Sequence, residues 1–126
     1  MKVEVFPTGP IMVNTYLAYD DKRNAFVVDP GGASPSLLKA IETKNLNLQY
    51  IVLTHGHGDH IGGVDELLEL YPGIKVAAPS KEKELLSDSI LNSSRELYGR
   101  DIVIVPDVWV SDYDRIQVGD MELLFI

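Results

Sequence analysis

A chain of 126 residues has room for one domain, or for one half of a larger one. Its 45 % hydrophobic and 24 % charged residues make an ordinary globular balance, which excludes disorder, collagen and coiled coil. With 11 basic and 19 acidic residues the net charge is −8 and no basic stripe offsets it, so nucleic acid and anionic membranes are not expected partners; the absence of cysteine removes disulfides, thiolate nucleophiles, iron–sulfur clusters and cysteine-held zinc.

The opening residues lack the long apolar stretch of a signal peptide, and no apolar run approaches the ~20 residues of a membrane-spanning helix. The expected compartment is the cytoplasm. Val3 to Phe6 reads as a strand turned by Thr8-Gly9-Pro10, and Thr15 to Tyr19 as a second strand. The polar turn Asp20 to Asn24 leads into a third, Ala25 to Val28, stopped by Asp29-Pro30-Gly31-Gly32. Ser34-Pro35 opens a helix, Ser34 as its cap and Pro35 at its first position, with Leu37, Leu38 and Ile41 as apolar stripe and Asn45 as stop. Tyr50 to Leu53 is short and wholly apolar, the pattern of a strand buried on both faces. After a loop from Thr54 to Gly63, the spacing of Val64, Leu67, Leu68 and Tyr71 predicts an amphipathic helix ended by Pro72-Gly73. Lys75 to Ala78 is a strand. Ser80 to Tyr98 reads as one or two helices with Ile90, Leu91 and Leu97 on the apolar side, followed by β segments at Ile102 to Val105, Val108 to Val110 and Ile116 to Ile126. No repeat or Pro/Gly/Ser-rich linker divides residues 1–126, and the alternation of strands with helices argues for α/β layers.

All three histidines of the chain fall within six residues, His55-Gly56-His57-Gly58-Asp59-His60. Residues two apart in extended backbone point the same way, so His55 and His57 can converge on one cation. Asp59 and His60 fall where the chain turns toward the helix, point elsewhere and can hold a second cation. Gly56 and Gly58 allow sharp bends between ligands, and Gly62-Gly63 a close approach of helix to sheet. A nitrogen and oxygen donor set without sulfur suits zinc, iron or manganese. Competing explanations are a helix cap for Asp59, a turn residue for Asp29, and incidental polar loop residues for the histidines. Phosphate-binding patterns fail: Ile61 stands at the third glycine position of the dinucleotide fingerprint, and Val64 where a nucleotide-binding loop requires lysine.

The run Thr54 to Gly63 resembles the H-x-H-x-D-H signature of the metallo-β-lactamase superfamily. Asn14-Thr15-Tyr16-Leu17, Val27-Val28-Asp29-Pro30-Gly31 and Ile51-Val52-Leu53-Thr54 fall, in order, where such proteins carry similar strands and turns. The strands look most similar to the hydroxyacylglutathione-hydrolase (second glyoxalase) branch. The resemblance implies an α/β fold, the N-terminal half of the family's αβ/βα four-layer sandwich, with a mixed sheet and helices on one face. It also implies a two-metal hydrolase. His55 and His57 would bind the first cation, and Asp59 and His60 the second. A metal-activated hydroxide, oriented by Asp59, would attack a small-molecule carbonyl substrate such as a thioester, and Asp29 would hold a ligand histidine in register from behind. Zinc is the expected metal, with iron or manganese as alternatives.

The family draws further ligands from later segments, whereas this chain has no histidine after His60. Each cation would keep two protein ligands where catalytic zinc generally has three. Residues 1–126 are therefore expected to be a partial domain, truncated at its C-terminus, weak in metal binding and inactive alone. Half a sandwich would leave one apolar sheet face bare, so association of copies through that face, or through the edge at Leu123 to Ile126, is expected. Two other functions stand beside the hydrolase: a catalytically incompetent metal-binding or interaction module, and an iron-dependent non-hydrolytic relative doing sulfur or oxygen chemistry. Arg95, Glu96 and Arg100 are candidates for a substrate entrance, although such charges usually just face water.

Overall fold

The computed structural model describes residues 1–126. Six strands form one mixed sheet in the spatial order of the sequence. The strands β1 (Lys2–Thr8), β2 (Val13–Tyr19) and β3 (Asn24–Val28) are antiparallel neighbours joined by short turns. From β3 onward the pairing is parallel, through β4 (Asn47–Val52), β5 (Lys75–Pro79) and β6 (Val108–Val110). Parallel neighbours need crossovers, and helices supply the first two. Helix α1 (Pro35–Thr43) links β3 to β4, and α2 (Val64–Leu70) links β4 to β5.

Local chemistry explains α1 at both ends. The Ser34 hydroxyl accepts the Leu37 amide at 3.3 Å, Pro35 occupies the first turn, and Asn45 just beyond the helix takes the left-handed conformation that stops it. Its buried stripe is Leu37, Ala40 and Ile41, with Leu38 only half-buried. Leu37 and Ile41 pack with Val64 and Leu67 of α2 onto Leu17, Val27, Ile51 and Val76 of the sheet, forming the main core. Ile51 and Val52 are buried on opposite faces, as expected of a central parallel strand.

Three expectations fail. Ile102 to Val105 is not a strand, although Ile102 and Ile104 are buried between exposed neighbours. Its amides go elsewhere: Ile102 donates to the Ser94 hydroxyl at 3.0 Å and Ile104 to the Leu86 carbonyl at 2.9 Å. Ser80 to Tyr98 does hold two helices, α3 (Lys83–Leu86) and α4 (Ser94–Tyr98), but both are short, a single turn at Ser80–Glu82 precedes them, and the expected apolar side fails. Ile90 and Leu91 face solvent, and the fully buried residues of this stretch are Leu86 together with the polar Asn92 and Ser94. Ile116 to Ile126 is a hairpin of β7 (Arg115–Val118) and β8 (Met121–Leu124), turned at Gly119, whose φ is +57°.

That hairpin changes the expected bare face. Ile116, Val118 and Met121 pack onto Ala18, Phe26, Val52, Ala77 and Val110, on the side of the sheet opposite the helices. What stays open is a strip on β1 and β2, where Val3, Val5 and Tyr16 are exposed. No helix is long and apolar enough to cross a membrane.

Candidate metal centre

The site forms where β3 and β4 release the chain at neighbouring ends. Asp29 follows β3 with φ +52° and is 5 % exposed. Its amide donates to the Val52 carbonyl at 3.0 Å, and its own carbonyl accepts the Thr15 hydroxyl at 2.9 Å. Its left-handed backbone, unusual outside glycine, is thus fixed from both sides. The carboxylate receives Thr54, taking the backbone amide at 2.8 Å on one oxygen and the hydroxyl on the other.

Thr54 passes this order to the first histidine. Its hydroxyl oxygen lies 2.9 Å from His55 Nδ1. Because the hydroxyl proton goes to Asp29, the oxygen is the acceptor, and His55 carries its proton on Nδ1. Nε2 then keeps a lone pair for a ligand. Burial of the ring, and next the neighbouring His60, hold His55 below the ordinary imidazole pKa, which favours the neutral, ligating form. Sequence reasoning assigned Thr54 no role. Its only local signal is a hydroxyl immediately ahead of the first histidine.

The other side chains collect around His55. The His60 ring stands 3.8 Å from that of His55, centroid to centroid, and the His57 ring 5.1 Å, edge-on. His60 Nε2 lies 3.4 Å from an Asp59 oxygen. His60 therefore turns back toward His55, so one member of each expected pair meets the other, and His57 and Asp59 flank them. Asp59 does not cap α2: the helix begins at Val64 with Gly63 in the cap position and no side-chain cap bond. Asp59 sits instead in a single helical turn, Gly58–His60.

The glycines serve close approach, not bending. Neither Gly56 nor Gly58 has a positive φ, and a Cβ on Gly58 would lie 2.8 Å from the Asn92 carbonyl oxygen. A Cβ on Gly62 would lie 2.2 Å from the Tyr98 ring and 2.3 Å from the Gly31 carbonyl oxygen, so α4 and the turn after β3 both press on this position. The Tyr98 hydroxyl donates to the Gly31 carbonyl at 2.7 Å. Burial, and next the Asp59 charge, push its pKa up and keep it a donor.

The donors fit a divalent cation. Ligand atoms of Asp29, His55 and His60 lie within 4.8 Å of one another. His60 Nδ1 is buried and approaches an Asp29 oxygen at 3.1 Å, but out of line, so it has no hydrogen bond. An unpartnered buried nitrogen among carboxylates and imidazoles is the arrangement that a cation completes. Asp29, with both oxygens engaged by Thr54, is placed to orient rather than to ligate. Arg100 donates to the Gly62 carbonyl at 3.1 Å, and Arg95 lies 3.4 Å from Asp101, both with side chains more than half exposed.

A family model described as the metallo-beta-lactamase superfamily matches residues 8–126. The hydroxyacylglutathione hydrolase GloC of Haemophilus influenzae is 31 % identical over 117 residues, which are 92 % of this chain and 55 % of that protein. Among solved structures, the BLEG-1 B3 metallo-beta-lactamase superposes with a TM-score of 0.84 at 33 % identity, covering 98 % of this chain and 59 % of the other. TTHA1623 in a di-iron-bound form gives 0.73 at 26 % identity, covering 90 % and 57 %. The chain spans about half the length of the curated relatives it matches.

Proposed function

This chain belongs to the metallo-β-lactamase superfamily, and from that premise we propose that it carries the metal-binding loop of a thioester hydrolase. The observation that carries this reading is the convergence of Asp29, His55 and His60 donor atoms within 4.8 Å, at the loop that also bears His57 and Asp59. The pairing itself comes from the family resemblance: His55 and His57 would hold one cation and Asp59 and His60 the other, with His55 and His60, 3.8 Å apart ring to ring, facing each other between the two. Bound there, zinc or iron would supply Lewis acidity toward a carbonyl and a nucleophilic hydroxide near neutral pH.

The protein's own part is orientation and proton placement. Asp29 and Thr54 keep the proton of His55 on Nδ1 and leave Nε2 open. The Asp59 carboxylate, next to His60 Nε2, offers an acceptor for a proton of the attacking water. The hydroxyacylglutathione hydrolase among the relatives supports a thioester as substrate class. This chain supplies three histidines in all, so each cation would have two of its side chains, and weak affinity with little turnover is expected of residues 1–126 by themselves.

Zinc titration against a chromophoric chelator tests the assignment. His57 is exposed and outside the core, so His57→Ala should lower metal affinity about tenfold or more while the circular dichroism stays unchanged. Unaltered metal content in that variant would reject the site. A metal-loaded preparation that opens a β-lactam faster than it cleaves a hydroxyacyl thioester would replace the thioester with a lactam. Iron is the second reading for the metal, favoured by the di-iron relative, and elemental analysis of protein grown with both metals separates the two.

A further inference from the structure

We infer that the segment from Asn92 to Arg100 is a brace that positions the metal-binding loop, with Tyr98 as its principal positioning residue; the inference rests on the reading that this loop holds cations. The segment meets the loop and its supporting turn at three backbone points. The Asn92 carbonyl accepts the Gly58 amide at 2.6 Å, the Tyr98 hydroxyl donates to the Gly31 carbonyl at 2.7 Å, and Arg100 donates to the Gly62 carbonyl at 3.1 Å. Gly58 lies between His57 and Asp59. Gly62 follows His60 by two residues, and Gly31 follows Asp29 by two. The contacts at Gly58 and Gly62 therefore bracket Asp59 and His60, the first directly follows His57, and the one at Gly31 lies two residues past Asp29.

On the loop side all three points are glycines, so the brace seats directly on backbone with no loop side chain between. A Cβ on Gly58 would collide with Asn92 and Ser94, and one on Gly62 with the Tyr98 ring and hydroxyl. The brace is itself anchored. The Asn92 side-chain amide donates to the carbonyls of Leu85 at 2.9 Å and Ile102 at 3.0 Å, while its oxygen accepts the Ser94 amide at 2.8 Å. Ser93, between them, is held at φ +66°, a conformation that a non-glycine residue keeps only where its neighbours impose it.

The need for a brace lies in the site. His60 and Asp29 approach to 3.1 Å without a hydrogen bond between them, so their mutual placement must come from their surroundings. One link is the Gly63 amide on the Pro30 carbonyl at 2.8 Å. Tyr98 is the other, its ring against Gly62 and its hydroxyl on Gly31. A plain packing role for α4 would predict that losing the hydroxyl costs general stability and nothing specific to the loop.

Tyr98→Phe separates the two, because it keeps the ring on Gly62 and removes only the donor. In the metal-free chain, amide exchange at Gly62 and Gly63 should quicken about tenfold, the loss of one hydrogen bond, while Val27 and Ile51 stay as slow as before. Zinc affinity should fall about tenfold, as when an outer partner of a metal ligand is removed. Ile116→Val, on the opposite face of the sheet, serves as a control that lowers stability without touching the loop. Unchanged exchange at Gly62 and Gly63 in Tyr98→Phe, or an equal loss of zinc affinity in Ile116→Val, would overturn the brace. Absence of zinc binding by the unaltered chain would overturn the metal reading alone, since the exchange measurement needs no metal and decides the brace separately.

Discussion

The two faces of the central sheet are secured in different ways. On the helix face, Leu37, Ile41, Val64 and Leu67 press fully buried aliphatic surface onto Leu17, Val27 and Ile51. On the other face, a four-residue-stranded hairpin lays Ile116, Val118 and Met121 over small residues such as Ala18 and Ala77, and a polar latch holds its turn. The latch is the Asp20 carboxylate, which accepts the Asp120 amide at 2.9 Å across 100 residues of sequence. Apolar area alone stabilises the first face, whereas the second adds a polar latch at one corner to its smaller apolar cluster. The histidine loop belongs to the first face, because fully buried Ile61, directly after His60, is part of the helix-side core.

Substitutions on each face should therefore differ in size and in reach. The largest effect is expected at Ile61, where Ile61→Ala should cost about 2–5 kcal/mol of global stability in urea unfolding and loosen the loop with it. A loss under about 1 kcal/mol would mean that the loop is not anchored by the core. Next comes Gly119→Ala. The new Cβ would lie 2.4 Å from Asp20 Oδ2 and Asn24 Nδ2, on backbone at φ +57°. A cost of about 1–3 kcal/mol should appear as faster amide exchange in the hairpin, with Ile51 unchanged. Equal acceleration on both faces would erase the distinction between them. Ser34→Ala, which removes the cap of α1, should cost about 1 kcal/mol and act on the helix face alone.

What could be read from the sequence tracks how local the cause is. The start of α1 was legible because cap and proline act within one turn, at Ser34 and Pro35. The strand at Tyr50 to Leu53 announced itself by uninterrupted apolar residues, and the histidine cluster by chemistry that packing does not explain. The stretch from Ser80 to Val105 was misread because, beside Leu86, Ile102 and Ile104, its interior is Asn92 and Ser94, whose partners are the carbonyls of Leu85, Ser89 and Ile102. Apolar periodicity is blind to a core made of satisfied amides, so Ile90 and Leu91 were assigned inward while they face water. The hairpin was read straight through Gly119-Asp120 because continuous β-forming residues outweighed a turn signal. Thr54 escaped notice because its partner, Asp29, is brought to it only by the pairing of β3 with β4.

The smallest effect, and the most selective, is expected in acid. Asp20 is held below the ordinary aspartate pKa of 3.8, first by the Asp120 amide and then, against an opposing burial cost, by Asn24 and Lys22. A carboxyl depressed in the folded state stabilises that state most when fully ionised, above its unfolded pKa, and the contribution is lost as pH falls through the folded value. The latch should therefore be fully engaged near neutrality and release only below the usual aspartate range. In a nuclear magnetic resonance titration the Asp120 amide should report this, with a midpoint below 3.8. Asp20→Asn should abolish that titration and quicken exchange in β7 and β8 already at neutral pH, leaving α1 and α2 unaffected. A midpoint at or above the ordinary value, or a hairpin equally protected in Asp20→Asn, would show that apolar contact alone holds the second face and that the two faces differ in extent rather than in kind.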